Sequence, residues 1–351
     1  MGVTLKDVAR RAGVSIKTVS NVVHGYEHVT VEMRQRVNKA LEELNYQPNL
    51  PARYLRQGHV SIVALAIPFL TNPYFSDIGK AVVSAANARA YTVLIDSTDG
   101  ERAKEMMVIN GMYPHLIDGV ILSPLALEAE DLLSRRVDVP IVLLGERLFN
   151  VPYDHVVIDN VAAARLATSH LISLGRTRIA AIGAQEISAG DTARLRLQGY
   201  REALTEAGLA YNPDLVTRSL SYDRIDGIQS MHQLLASGTP PDAVFCFNDL
   251  LALGALRALY EAGYRVPEDV AVVGIDDIKE SAFSMPSLTT IAPNKQEIGD
   301  LAVAFLLDRI AKTYTGQPRQ TQASFELIVR ESTAGRAASP QQTSPIVPRP
   351  E

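Results

Sequence analysis

The pattern of apolar residues changes character near residue 60 of this chain. Before that point it is helical. Leu5, Val8, Ala9 and Ala12 recur three and four apart and give a first helix one apolar face. Thr4 is placed to cap it, and Asp7, three residues on, completes a capping-box-like pair. Gly13 can take the left-handed conformation that ends a helix. Ser15 is a good cap for a second helix running to about His24, before Gly25. On that second helix, steps of roughly 100° per residue gather Val19, Val22 and Val23 on one side. Lys17, Ser20 and Asn21 face the other way, with Ile16 on the border. Thr30 can cap a third helix to about Leu44. Its Val37, Ala40, Leu41 and Leu44 keep the spacing, and Asn45 and Pro48 end it.

From Ser61 on, near-continuous apolar runs alternate with amphipathic ones. The runs predict strands at Ile62–Ile67, Thr92–Asp96, Gly119–Leu122, Ile141–Leu144, Ile179–Ile182, Ala243–Phe247 and Val270–Ile275. Helices are predicted between them, among others at Ile78–Arg89, Val161–Leu174, Arg194–Ala207 and Asp249–Ala262. Such alternation means an α/β domain whose parallel sheet is covered on both faces. Ligands of these sheets bind at strand ends. Polar and aromatic residues stand there: Asn72-Pro73-Tyr74-Phe75, Glu146-Arg147, Asp159, Tyr222, Asn248-Asp249 and Asp276-Asp277. Arg196 lies in the segment ARLRLQGY. Each has a plainer reading. Asp249 can cap a helix, Arg196 can pair with an acid, and Tyr222 can be a packed aromatic.

Composition narrows the choice. The 351 residues suit one small domain plus a larger one, and 47% hydrophobic content is ample for a core. There is no basic-plus-apolar leader and no run of 18 apolar residues, so the expectation is a cytoplasmic protein, neither secreted nor membrane-spanning. The single cysteine, Cys246, cannot form an internal disulfide and sits in an apolar strand pattern. The net charge of −5 is uneven: nine Lys/Arg against five acids in residues 1–60 give +4, which leaves −9 for the remainder. A basic end on an acidic body confines any polyanion-binding surface to the first sixty residues. Lysine can donate to guanine or phosphate, asparagine can pair with adenine, and isoleucine can touch a thymine methyl. The same pattern alone fits a three-helix bundle with a solvated polar face equally well. No GxSxG elbow, GxxxxGK[ST] loop, HExxH or Cys/His cluster is present, and the seven histidines are scattered. Nothing predicts turnover, a cofactor or a metal.

The run TLKDVARRAGVSIKTVSNVVHG, continued through NYQP, resembles the headpiece of the lactose-repressor/galactose-repressor (LacI/GalR) family of bacterial transcription regulators. The resemblance extends to about Arg336. It implies a helix-turn-helix headpiece at 1–48, with base reading at Ile16, Lys17 and Asn21; many members have arginine where this chain has Asn21. DNA contacts are expected at Thr4, Ser15, Ile16, Lys17, Thr18, Ser20, Asn21, Asn49, Arg53, Leu55 and Arg56. The linker at 49–60 becomes a hinge helix on DNA. Leu55 matches the leucine that members wedge into the minor groove, with Arg53 and Arg56 beside it. Pro51 lacks an N–H and disfavours a helical Leu50, so the hinge helix is expected to begin at Pro51 and run to about Gln57.

The resemblance further implies two hinged, periplasmic-binding-protein-like lobes, 61–159 with 293–321 and 160–292 with 322–336. The chain should cross between them near Asp159–Val161, Thr290–Pro293 and Thr321–Ser324. A helix at Lys295–Tyr314 would join the first lobe and a strand at Phe325–Val329 the second. The effector pocket is expected at Tyr74, Phe75, Asp159, Arg196, Tyr222, Asn248 and Asp276, with a small sugar as effector. Residues 337–351 form a proline-rich tail, expected to be disordered, with no leucine heptad, so a homodimer is expected on operator DNA. The alternatives are a solute-binding protein of a transport system, an activator, or a family member answering to a purine, nucleoside or phosphoprotein.

Overall fold

The computed structural model describes residues 3–23, 26, 29–46, 60–111, 116–148, 151–185 and 191–335. It divides into two compact units, Met1–Val60 and Ser61–Glu351.

The first unit holds three helices: α1 (Leu5–Ala12), α2 (Ile16–Val23) and α3 (Val31–Glu43). Thr4 and Asp7 form the capping box: Asp7 N donates to Thr4 Oγ1 (3.4 Å) and Thr4 N to Asp7 Oδ2 (3.0 Å). Gly13 ends α1 at φ 64°, a left-handed conformation that glycine adopts without strain. Arg36 of α3 locks the turn by donating to the carbonyls of Ala12 (2.7 Å) and Gly13 (3.2 Å). Thr18 N donates to Ser15 Oγ (3.0 Å), and Met33 N to Thr30 Oγ1 (3.3 Å). Val8, Ala9, Ala12, Val19, Val22, Val37 and Ala40 form the core. These are small side chains at about 0.8 kcal/mol per buried methylene, so caps matter here more than in a large domain.

The second unit has two six-stranded sheets. In chain order its elements open with β1 (Ile62–Ile67), α4 (Pro73–Asn87), β2 (Thr92–Ser97), α5 (Arg102–Ile109) and β3 (Gly119–Leu122). There follow α6 (Ala129–Leu133), β4 (Ile141–Leu144), β5 (Asp154–Val157), α7 (Asn160–Ser173) and β6 (Ile179–Ala184). Next come α8 (Asp191–Glu206), β7 (Val216–Arg218), α9 (Arg224–Leu235), β8 (Ala243–Cys246) and α10 (Asp249–Glu261). The chain closes with β9 (Ala271–Ile275), β10 (Thr289–Pro293), α11 (Lys295–Ile310), β11 (Gln320–Gln322), β12 (Phe325–Ile328) and α12 (Glu331–Ala334).

Strand order is β11-β5-β4-β3-β1-β2 in the first lobe and β12-β10-β9-β8-β6-β7 in the second. All neighbours pair parallel except β10 and β12. One core lies on each face of the first sheet, and a larger one fills the second lobe. Helix α11 packs on α4 and buries Ile298, Ala302, Val303 and Leu306 in the first-lobe core. The chain therefore passes between lobes three times: β5 to α7, β10 to α11, and β11 to β12.

Several boundaries differ from the periodicity. Helix α4 starts at Pro73, not Ile78, because Asn72 caps it (Tyr74 N to Asn72 Oδ1, 3.0 Å) and proline suits the first turn. Helix α11 stops at Ile310, short of Tyr314, where Lys312 turns to φ 56°. Strand β5 begins with a carboxylate: Asp154 is buried because Arg309 (2.7 Å) and Arg319 (2.7 Å) both grip it. That ion triad ties α11 and β11 to the edge of the first sheet.

Candidate functional site

Between the lobes lies a cavity of about 400 Å³. The first lobe contributes Phe69, Asn72, Tyr74, Phe75, Ser123, Leu125, Glu146 and Arg147. The second contributes Gln185, Thr192, Arg196, Ser221, Tyr222, Asn248 and Asp276. Six of the seven expected effector residues line it together. Asp159 does not; its carboxylate accepts from Ala162 N (2.9 Å) and caps α7.

Local backbone explains how the others reach the cavity. The Asn72 cap directs Tyr74 and Phe75 into the first turn of α4, where their rings meet edge to face at 5.3 Å and 69°. Strand β6 carries a bulge at Gly183, φ 121°, where a Cβ would lie 2.6 Å from Phe247 Cβ. The freed Gly183 carbonyl accepts the Tyr222 hydroxyl (2.7 Å). Tyr222 itself sits at φ 57°, and its carbonyl accepts Asn248 Nδ2 (3.0 Å). Asn248 Oδ1 in turn caps α10 by accepting Leu251 N (2.9 Å). Asn248 is thus the cap, and Asp249 is not. Asp249 is fully buried and accepts from Ile278 N (3.0 Å), Ser281 Oγ (2.6 Å) and Thr290 Oγ1 (2.6 Å), which anchors the loop after β9.

The charges are concentrated and dry. Arg196 is 7% exposed and donates to Asn160 Oδ1 (2.7 Å) and to the Phe247 carbonyl. Glu146, at the end of β4, spans the lobes: its carboxylate accepts Ile158 N (3.0 Å) and Thr192 Oγ1 (3.2 Å). Burial pushes its carboxyl upward, against the Ile158 N–H and the charge of Arg196. Asp276 is 6% exposed at φ 125°. Burial raises its carboxyl as well, while Arg196 and Lys295 pull the other way. Asp249 is raised by burial first and by the nearby Asp276 second. The interacting acids are therefore Asp249 and Asp276, since Asp277 pairs with Arg330 (2.6 Å). Burial also raises the hydroxyls of Tyr74 and Tyr222, so both rings stay neutral.

Glu146 was visible as a strand-end residue, and Ser123 follows β3 in the same way. Gln185 and Ser221 follow β6 and β7. Thr192 had no sequence signal. The cavity pairs donors with acceptors on both walls and adds aromatic faces, which suits a small polyhydroxyl or heterocyclic ligand. Among the described residues no group of His, Cys, Asp and Glu could hold a metal ion, and no helix is long and apolar enough to cross a membrane.

In the first unit, Val19 and Val22 of α2 are buried while Ile16 is 46% exposed and Lys17 is exposed. Ser20, Asn21 and Thr18 are half-buried on the same helix, and Thr4 and Ser15 serve caps at exposed positions. Asn49, Arg53, Leu55 and Arg56 lie outside the described residues, as do His24, Gly25 and Pro51.

Residues 4–49 match the bacterial regulatory proteins of the lacI family, and residues 168–333 match the periplasmic binding protein-like domain. The chain is 35% identical over 318 residues to the ribose operon repressor of Escherichia coli K12, covering 90% of this chain and 96% of that protein. The chain belongs to the LacI family. It is also 33% identical over 335 residues to the HTH-type transcriptional repressor PurR of Pasteurella multocida, covering 95% and 99%. The solved lac repressor dimer bound to operator and the anti-inducer ONPF is similar with a TM-score of 0.82 and 30% identity, over 95% of this chain and 99% of that one. This LacI-family chain is a DNA-binding transcriptional regulator with a two-lobed α/β domain, and not an enzyme.

Proposed function

We propose that this chain, as a homodimer, represses a carbohydrate uptake or catabolism operon and leaves its operator when a small sugar fills the interlobe cavity. The observation that carries this reading is the burial of Arg196, Asp276 and Glu146 around one cavity beside Tyr74, Phe75 and Tyr222. A sugar hydroxyl donates and accepts at once, so a carboxylate and a guanidinium can hold neighbouring hydroxyls in pairs. The aromatic rings cover the apolar ring face. Tyr74 and Phe75 meet edge to face, which suits a puckered ring better than a flat one held between parallel plates. Asn248 orients Tyr222 rather than pointing freely at ligand. Asp159 acts as a helix cap beside the first crossover.

On DNA, Ile16, Lys17 and Asn21 read base edges in the major groove, with Thr4, Ser15, Thr18 and Ser20 toward phosphates. Asn49, Arg53, Leu55 and Arg56 serve the hinge, where a leucine wedge unstacks a base step at a cost of about a few kcal/mol. The effector need couple to the operator by only about 1–3 kcal/mol, a roughly 5–150-fold change in affinity. A purine effector is the second reading, favoured by the similarity to PurR and by the aromatic lining.

A thermal-shift screen of D-ribose, hexoses, disaccharides, hypoxanthine and guanine tests both readings, because a ligand raises apparent stability by mass action. The hit is then titrated against operator-bound protein by fluorescence anisotropy. Stabilisation by a sugar together with operator release supports the proposal; stabilisation by purines alone replaces it with the second reading.

A further inference from the structure

The turn Asp276-Asp277-Ile278 carries the cavity carboxylate of the second lobe, and its backbone is unusual. Asp276 has φ 125° and Asp277 φ 47°, both on the left-handed side. Such a turn persists only where its surroundings hold it. The second lobe supplies several holds. Asp276 N donates to the Ile291 carbonyl (2.9 Å), Ile278 N to Asp249 (3.0 Å), and Arg330 pairs with the Asp277 carboxylate (2.6 Å). One further hold comes from the first lobe. Lys295, the first residue of α11, donates from Nζ to the Asp277 carbonyl (2.9 Å) and to Asp77 Oδ2 of α4 (2.7 Å). Its side chain is 15% exposed, so the ammonium is largely withdrawn from water and committed to these two partners.

Both ends of this bridge lead to the cavity. Asp77 lies on α4 two residues after Phe75, and Asp277 follows Asp276 directly. Helix α11 is built into the first-lobe core, and Lys295 stands just past the second crossover. Resting on the sugar-effector reading above, we infer that Lys295 is a positioning residue: it fixes the Asp276 turn against α4 and so sets effector affinity without touching the effector. An amine on that spot ties together the two walls that must hold the ligand at once. Methionine there keeps the unbranched apolar stem, one atom shorter, and loses both bonds. Arginine keeps the charge and the donors.

The test uses the full chain with D-ribose as probe and operator DNA. Lys295→Met is expected to weaken ribose binding at least tenfold by calorimetry, and Asp77→Asn by a smaller factor. The double variant should bind no more weakly than Lys295→Met alone, because both changes break one bridge. Lys295→Arg should recover most of the loss. Operator affinity without sugar should stay within twofold throughout, which a general loss of folding would not allow. Hydrogen exchange needs no ligand: the Asp277 and Ile278 amides should exchange at least fivefold faster in Lys295→Met than in the parent. Unchanged ribose affinity, additive single effects, or unchanged exchange at that turn would each overturn the inference. If the parent binds no ribose, the choice of sugar falls, and the exchange result alone decides whether Lys295 holds the turn.

Discussion

Replacing Arg196 with methionine removes one buried cation and leaves several groups that it served. Arg196 donates to Asn160 Oδ1 and to the Phe247 carbonyl, and its charge faces Glu146 and Asp276. Breaking a buried charge arrangement by deleting one partner costs about 3–5 kcal/mol. The second lobe has a large apolar core of its own, and a domain stability of about 5–15 kcal/mol leaves the variant folded at room temperature. The effector loses a partner as well. One charge-assisted hydrogen bond is worth about 1.5–3 kcal/mol, or roughly 10–150-fold in affinity. The expected result is therefore a folded, less stable repressor that binds operator normally and no longer releases it at effector concentrations that release the parent. Anisotropy on labelled operator, with and without effector, reads both quantities, and circular dichroism checks folding. If folded Arg196→Met bound operator and still released it at the effector concentrations that release the parent, the cavity would not be the effector site.

Three further outcomes are expected. Asp154→Asn should cost about 3 kcal/mol in denaturant unfolding, because it takes the buried carboxylate from Arg309 and leaves Arg319 only Asp308 (2.8 Å) as an ionic partner. Those arginines hold the Asp154 carboxyl down at about 2, below its ordinary value, so its stabilisation is complete at neutral pH and is lost as pH falls from about 4 towards 2; the gap between parent and variant should close over that window. Thr4→Ala should lower headpiece stability by about 1 kcal/mol, read from its thermal melting, since it deletes the α1 capping box. Leu55→Ala should abolish most specific operator binding in a gel-shift titration while leaving weak, salt-sensitive binding; unchanged specific binding would remove the wedge.

Sequence periodicity located elements best where burial was all apolar. Gly119–Leu122 and Ile141–Leu144 are strands with those very ends, and every residue in both is buried. Asp154–Val157 escaped notice because its first two residues are an acid and a histidine. The acid is buried with arginines that arrive from residues 309 and 319, a pairing no local window contains, and the histidine ring meets the Gly145 carbonyl. Thr289–Pro293 escaped likewise: its threonines are buried by bonds to Asp249, Ser332 and Thr333. The cavity was legible because strand ends in a parallel sheet converge, and that rule alone gathers Tyr74, Tyr222, Asn248 and Asp276. It also gathered Asp159, since a strand end is equally where the next helix needs a cap. A carboxylate there reads the same in either role. Asp249 shows the reverse: an acid at a helix start, taken for a cap, whose bonds run instead to a loop nearly thirty residues on.

The threefold passage of the chain between lobes has a consequence for how the protein is made. A growing polypeptide emerges from its first residue onward, yet the first sheet lacks an edge strand until Gln320–Gln322 has appeared. On one face of that sheet α4 covers β1 and β2, while β3, β4 and β5 wait for Lys295–Ile310. The sheet that is begun first is thus completed almost last, with part of one apolar face waiting through the synthesis of most of the other lobe. Non-local pairing of this kind folds slowly and leaves sticky surface open in the meantime. During translation the ribosome-bound intermediate, rather than the finished repressor, is where this sequence is most exposed to aggregation.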